Sequence, residues 1–186
     1  MSSHAQLPYS IQNPVKSLGD YIGGEFHPPR DPTGEWTVTS PAAGKDIIAR
    51  IKYSFSDVDR AVQSARDAFR KWRLTPQNER NECLQRYRAA LQKREAVFAE
   101  TIARETGKPL WEAKSEFAVI LNKIDITIKE SLPLIADLEV PNVMPDTLGT
   151  ARYRPHGVMV VIGPFNFPGH LPNGHIVPAL ATGNTV

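Results

Sequence analysis

The chain has 186 residues, 41% of them hydrophobic, which suffices for one domain with a real core and not for two large ones. Its 22 Lys and Arg nearly balance 20 Asp and Glu, and the basic residues are scattered among acids, so neither nucleic acid nor a membrane is an indicated partner. The single cysteine, Cys83, excludes an internal disulfide and a structural zinc site; with no signal-peptide pattern and no 18-residue apolar run, a reducing, cytoplasmic setting is expected.

Residues 1–19 have little periodicity and read as a flexible or extended arm. The stretches 21–22, 36–39 and 46–51 are rich in β-branched or aromatic residues and separated by Gly, Pro and Asp, which predicts short antiparallel edge strands. A helical period follows, with Val58, Ala61, Val62, Ala65, Phe69 and Trp72 at steps of three and four, and Ser56 with Asp59 as a capping box. Thr75 and Pro76 then offer the N-cap and first position of a second helix that runs unbroken to a stop at Gly107. A third helix is predicted over 110–129, with Ala113, Phe117, Ile120, Leu121, Ile124 and Ile128 facing the core.

Proline punctuation and alternation over 131–155 predict two exposed strands, a hairpin that needs something to pair with. "GVMVVI" (157–162) is a near-continuous apolar run, the pattern of a strand covered on both faces in a parallel sheet. After "GPFNFPGHLPNGH" (163–175) a helix ends at Gly183, and "NTV" begins another strand. Strand, turn, helix and strand open a βαβ unit, so the chain reads as an incomplete piece of a larger α/β protein; a self-contained helical domain is the lesser alternative.

Asn166 lies just past the strand tip, where open α/β sheets place their ligands. It is either a turn residue that tolerates an unusual backbone angle or an amide that donates to a developing oxyanion, and by the residues alone the turn has the better claim. His170 and His175 are five apart, wrong for sharing a metal on one helical face, and no metal site is expected. "ETGKP" (105–109) lacks the earlier glycine and later hydroxyl of a phosphate loop and reads as a helix stop and restart. Cys83 falls on the apolar side of a helix and reads as packing.

Taken in order, "YIGGEF", "SPAAGKDIIARI", "DVDRAVQSARDAFRKW", "ARETGKP" and "PHGVMVVIGPFNFP" resemble successive blocks of the aldehyde dehydrogenase superfamily, from about residue 20 to the last. "ARETGKPLWEAKSE", "NKIDITIK" and "NFPGHLPNGHIVPAL" look most like its succinylglutamate semialdehyde branch, which serves arginine breakdown. The resemblance implies that 20–186 form the N-terminal part of an NAD(P)-binding domain: edge strands, a helical segment, an oligomerisation hairpin at 131–155 and the first β-α of the parallel sheet. It further implies that Ile162, Gly163, Pro164 and Phe165 line the site of NAD, with NADP not excluded. Asn166 becomes the oxyanion-hole amide, reversing the reading from the residues alone.

By the same resemblance Ile120, Phe167, His170 and Leu171 line the aldehyde tunnel. The cysteine nucleophile, the glutamate base, the residues that hold the adenosine ribose and the catalytic domain are expected beyond position 186. The chain by itself is then inactive, and the complete protein is a homo-oligomer. The other reading is a non-catalytic piece that docks on a full-length subunit.

Overall fold

The computed structural model describes residues 14–186, so the expected arm lies mostly outside the described residues. Four short strands come first: β1 (Asp20–Ile22), β2 (Glu25–His27), β3 (Gly34–Thr39) and β4 (Ile47–Tyr53). β1 pairs antiparallel with β2 and β3 with β4, and Val15 forms a parallel bridge to Ala49. β2 has no counterpart in the sequence reading, because Glu25–His27 offers one aromatic and no β-branched residue to mark it.

The first helix, α1 (Ser56–Trp72), forms as the spacing predicts, but its expected capping box does not. Ser56 Oγ lies 2.8 Å from Ser54 Oγ, and Asp57 rather than Asp59 is the engaged acid: it accepts the Arg30 N–H at 2.9 Å and pairs with Arg60 at 3.1 Å. Asp57 is buried beside the β2–β3 loop, where its two partners compensate the charge, whereas Val58, on the helix's apolar period, is exposed.

The second helix of the sequence reading is two helices, α2 (Gln77–Gln92) and α3 (Glu95–Thr106), broken at Lys93 and Arg94. Thirty residues of straight helix would run about 45 Å, longer than a small domain. The break lets both segments reach the same partner, α4 (Leu110–Ile126). Thr75 also departs from its expected role: its hydroxyl donates to Lys71 O at the end of α1, and Pro76, with ψ 148°, takes the N-cap position of α2. Gly107 does stop α3, at φ +75°, a conformation a side chain would strain.

α4 is the axis of the molecule. Its residues Phe117, Ile120 and Ile124 pack with Leu84 and Leu91 of α2 and with Val177 and Ala181 of α5 (His170–Ala181). Ala113 packs with Ala99, Ile102 and Ala103 of α3, and Phe98 contributes to both clusters. Arg104 is buried and reaches Asp46 with two nitrogens, at 3.1 and 2.7 Å, tying α3 to the start of β4. Such a bidentate pair fixes orientation as well as distance.

Beyond α4 the chain widens into a π-helical turn at Thr127–Ser131, tightens at Leu132–Ile135 and enters a hairpin of β5 (Leu138–Met144) and β6 (Thr147–Ala151). Pro145 and then Asp146, at φ 55°, make its reversal, the residue order of a type II turn. Every residue of β5 is exposed.

The run "GVMVVI" is not the doubly covered strand its composition predicts. One parallel bridge joins Val158 to Thr185, with Thr185 N–H on Gly157 O at 3.0 Å and Met159 N–H on Thr185 O at 2.7 Å. Val160 and Ile162 are 76% and 89% exposed. A parallel strand is covered only between neighbouring strands and facing helices. Here residues 184–186 flank one edge, and clefts open on both faces, toward Ala61, Val62 and Ala65 on one side and toward His175 and Pro178 on the other.

Candidate active site

The turn from Ile162 to His170 joins this apolar run to α5 and is fixed by close packing and by charge. At Gly163 an added Cβ would lie 2.4 Å from Pro172 Cγ, and at Gly169 it would lie 2.7 Å from Ile120 Cδ1. Neither position has room for a side chain, so the turn's two ends press directly on α5 and on the core. Pro164 and Pro168 restrict the backbone between them.

Charge does the rest. α5 starts at His170 with no side-chain cap of its own. The carboxylate of Glu116, buried on α4, supplies one from a distance: Oε1 accepts the N–H of both Gly169 and His170 at 3.0 Å. Its other oxygen, Oε2, meets Lys108 Nζ at 2.8 Å. The same ammonium donates to the backbone carbonyl of Asn166 at 2.8 Å and stands 4.2 Å over the Phe167 ring. One turn behind, Asn173 is buried, donates to Ile120 O at 3.1 Å and accepts the Tyr87 hydroxyl at 3.1 Å, whose pKa burial raises.

The site residues expected from sequence sort clearly on this frame. Asn166 is exposed at the tip of the turn, and it is not among the described non-glycine residues with positive φ, which are Asp31, Asn142 and Asp146. The turn therefore does not require an asparagine for its backbone angle. Ile162, Gly163, Pro164 and Phe165 are exposed along the same edge, and Phe165 also lines a cleft with Trp36, Tyr53, Phe55 and Glu105. Phe167 and His170 meet edge to face at 6.4 Å, with Leu171 beside them on the first turn of α5. Ile120 differs in place: it is 1% exposed, inside the core, and touches the site only from beneath Gly169.

Lys108 and Glu116 are the residues that sequence reasoning passed over. Their signal was present, since Glu116 interrupts the core stripe of Ala113, Phe117, Ile120 and Ile124, and a carboxylate in such a stripe calls for a partner. Cys83 sits half-buried on α2 and is not part of the turn. Among the described residues no His, Cys, Asp and Glu group could hold a metal, and no helix is long and apolar enough to cross a membrane.

Comparison with known proteins gives the arrangement its setting. The sequence model of the Aldehyde dehydrogenase family matches residues 29–186. The chain is 47% identical over 148 residues to N-succinylglutamate 5-semialdehyde dehydrogenase 2 of Caulobacter vibrioides, covering 80% of this chain and 30% of that protein. It superposes with a TM-score of 0.79 on the NADP complex of NADP-dependent glyceraldehyde-3-phosphate dehydrogenase from Bacillus halodurans (30% identity; 89% of this chain, 35% of that one). The NAD complex of a putative methylmalonate-semialdehyde dehydrogenase from Sinorhizobium meliloti also gives 0.79 (27% identity; 88% and 33%). The chain thus spans about a third of the length of the relatives it matches, and its α/β architecture is the corresponding part of their fold. With its family model matched from residue 29 to residue 186, the chain belongs to the aldehyde dehydrogenase family.

Proposed function

We propose that residues 20–186 are the N-terminal part of the cofactor-binding domain of a cytoplasmic NAD(P)-dependent aldehyde dehydrogenase. Its aldehyde is N-succinylglutamate 5-semialdehyde, an intermediate of arginine breakdown. The observation that carries this reading is Asn166: exposed at the tip of a braced turn, held by its backbone from behind, and not required there by the turn's conformation. The 47% identity to the Caulobacter enzyme supports the choice of aldehyde.

The edge formed by Ile162 to Phe165 fits a nicotinamide dinucleotide. All four residues are exposed, and Ile162 borders a cleft of about 500 Å³ that also carries His156, His175 and Asn184. Bound there, the nicotinamide would supply the hydride acceptor for the oxidation. Ile162, Gly163, Pro164 and Phe165 would hold it in place by shape. In this reading the attacking thiolate comes from sequence outside residues 1–186, and the Asn166 amide donates to the oxyanion that forms as the thiolate adds to the carbonyl. Phe167, His170 and Leu171 line the aldehyde's approach, while Ile120 supports them from the core. The exposed β5–β6 hairpin is the surface through which the complete protein pairs with another copy of itself.

The test is a chimaera in which residues 29–186 replace the matching third of the Caulobacter enzyme, assayed for reduction of NAD+ and NADP+ with N-succinylglutamate semialdehyde. The chimaera is expected to oxidise the aldehyde and the chain by itself not to. Removing one oxyanion donor typically costs about 2.7 to 4 kcal/mol of barrier, so Asn166→Ala is expected to lower kcat by about 100 to 1,000-fold. Aldehyde oxidation by the chain alone, or a chimaera indifferent to Asn166→Ala, overturns the reading.

A further inference from the structure

We propose that Lys108 and Glu116 are positioning residues for Asn166, a relay of charge that sets the direction of its amide; this rests on the reading of Asn166 given above. Glu116 is buried on α4, in a row of apolar residues, where a carboxylate that served packing alone would be replaced to advantage by an apolar side chain. One of its oxygens instead reaches the turn itself, and the other reaches the lysine that holds the turn. Oε1 grips the two amides that begin α5, and Oε2 holds the ammonium of Lys108, which also lies 3.7 Å from Glu112.

Lys108 is nearly buried, and its three partners divide into two kinds. The two carboxylates belong to α4, the element that anchors it, whereas the third partner is the carbonyl of Asn166 itself. Fixing that carbonyl fixes the peptide plane between residues 166 and 167, and so restrains the backbone from which the Asn166 side chain leaves. Its cation also lies over the face of Phe167, so the next side chain is held by the same group. Phe167 and Asn166 therefore cannot swing independently of α4. A donor aimed at an oxyanion works by being already in place, and misplacing a reacting group by about 1 Å costs on the order of 100-fold in rate.

The experiment is a double-mutant cycle in the chimaera, with Lys108→Met, Glu116→Gln and Asn166→Ala singly and in pairs. Methionine keeps the packing over Phe167 and removes the charge; glutamine keeps an acceptor for the two amides and removes the pairing with lysine. Each is expected to lower kcat by about tenfold or more, with KM for the aldehyde changed by less than about twofold, the signature of support given only in the transition state. In the Asn166→Ala background each is expected to cost less than about twofold more, because the group they aim is gone. Losses that multiply independently of Asn166, or a kcat that Lys108→Met leaves unchanged, overturn the proposal. An Asn166→Ala variant with full activity defeats instead the functional reading beneath it.

Should a variant chimaera fail to fold, hydrogen exchange on the chain itself decides. Lys108→Met is expected to speed exchange of the Gly169 and His170 amides that Glu116 holds while leaving α4 protected, and unchanged exchange there overturns the proposal.

Discussion

An amide at position 166 is distinguished from its isosteres by the sign of what it offers, a partial positive hydrogen. In the chimaera, Asn166→Asp keeps the shape and at neutral pH replaces the donor by a carboxylate, so kcat is expected to fall at least as far as with Asn166→Ala, on the order of 100-fold or more. Glu105 supplies a pH effect of a different kind. Partial burial at the edge of the cleft it lines with Trp36, Tyr53, Phe55 and Phe165 raises its pKa above the ordinary 4.5. The folded state therefore binds the proton more tightly than the unfolded chain, and stability falls as pH rises from 4.5 through the raised value. Glu105→Gln is expected to raise the urea midpoint at pH 7, to do so less at pH 4, and to flatten the slope between them. At this scale the residues alone left Asn166 as a turn residue, and its proposed role came only with the family blocks around it. Glu116 was legible as a carboxylate in an apolar stripe that needs a partner; which partners it and Lys108 take was not, because their bonds to 166, 169 and 170 span more than fifty residues of sequence.

Among the elements, α4 was the most legible. Its stripe of apolar residues is regular, and Ala113, Phe117, Ile120 and Ile124 are all buried. Ile124→Ala removes a side chain with no exposure and is expected to cost about 2 to 5 kcal/mol in urea unfolding. Gly169→Ala forces a Cβ against Ile120 Cδ1 and is expected to cost about 1 to 3 kcal/mol. The break between α2 and α3 was not legible, since "QKRE" holds neither Gly nor Pro and each residue there is an adequate helix former. What divides the helices is the shape of the core they cover, a tertiary fact. For the opposite reason "GVMVVI" misled: its composition reports the burial its residues suit, and burial depends on which neighbours lie beside the strand.

Over the whole molecule, the apolar run 158–162 between two open clefts makes self-association the main hazard for the chain by itself. Val160→Lys is expected to keep the isolated chain monomeric to higher concentration in sedimentation experiments. In the chimaera, where the run must be covered, the same change is expected to abolish folding or activity. Legibility at this scale came from order: five blocks in register specify the family far better than any one of them, while the site's bracing emerges only when α3, α4 and α5 meet.

The far end of α5 has a use of another sort. Trp72 donates its indole N–H to the carbonyl of Leu180 at 3.0 Å, while Trp36 and Trp111 are 68% and 69% exposed. With the latter two changed to phenylalanine, the remaining fluorescence comes from one indole clamped to the last turn of the helix whose first turn carries His170 and Leu171. Its emission becomes an optical gauge of that helix's seating, readable in the same cuvette while ligands are added at the opposite end.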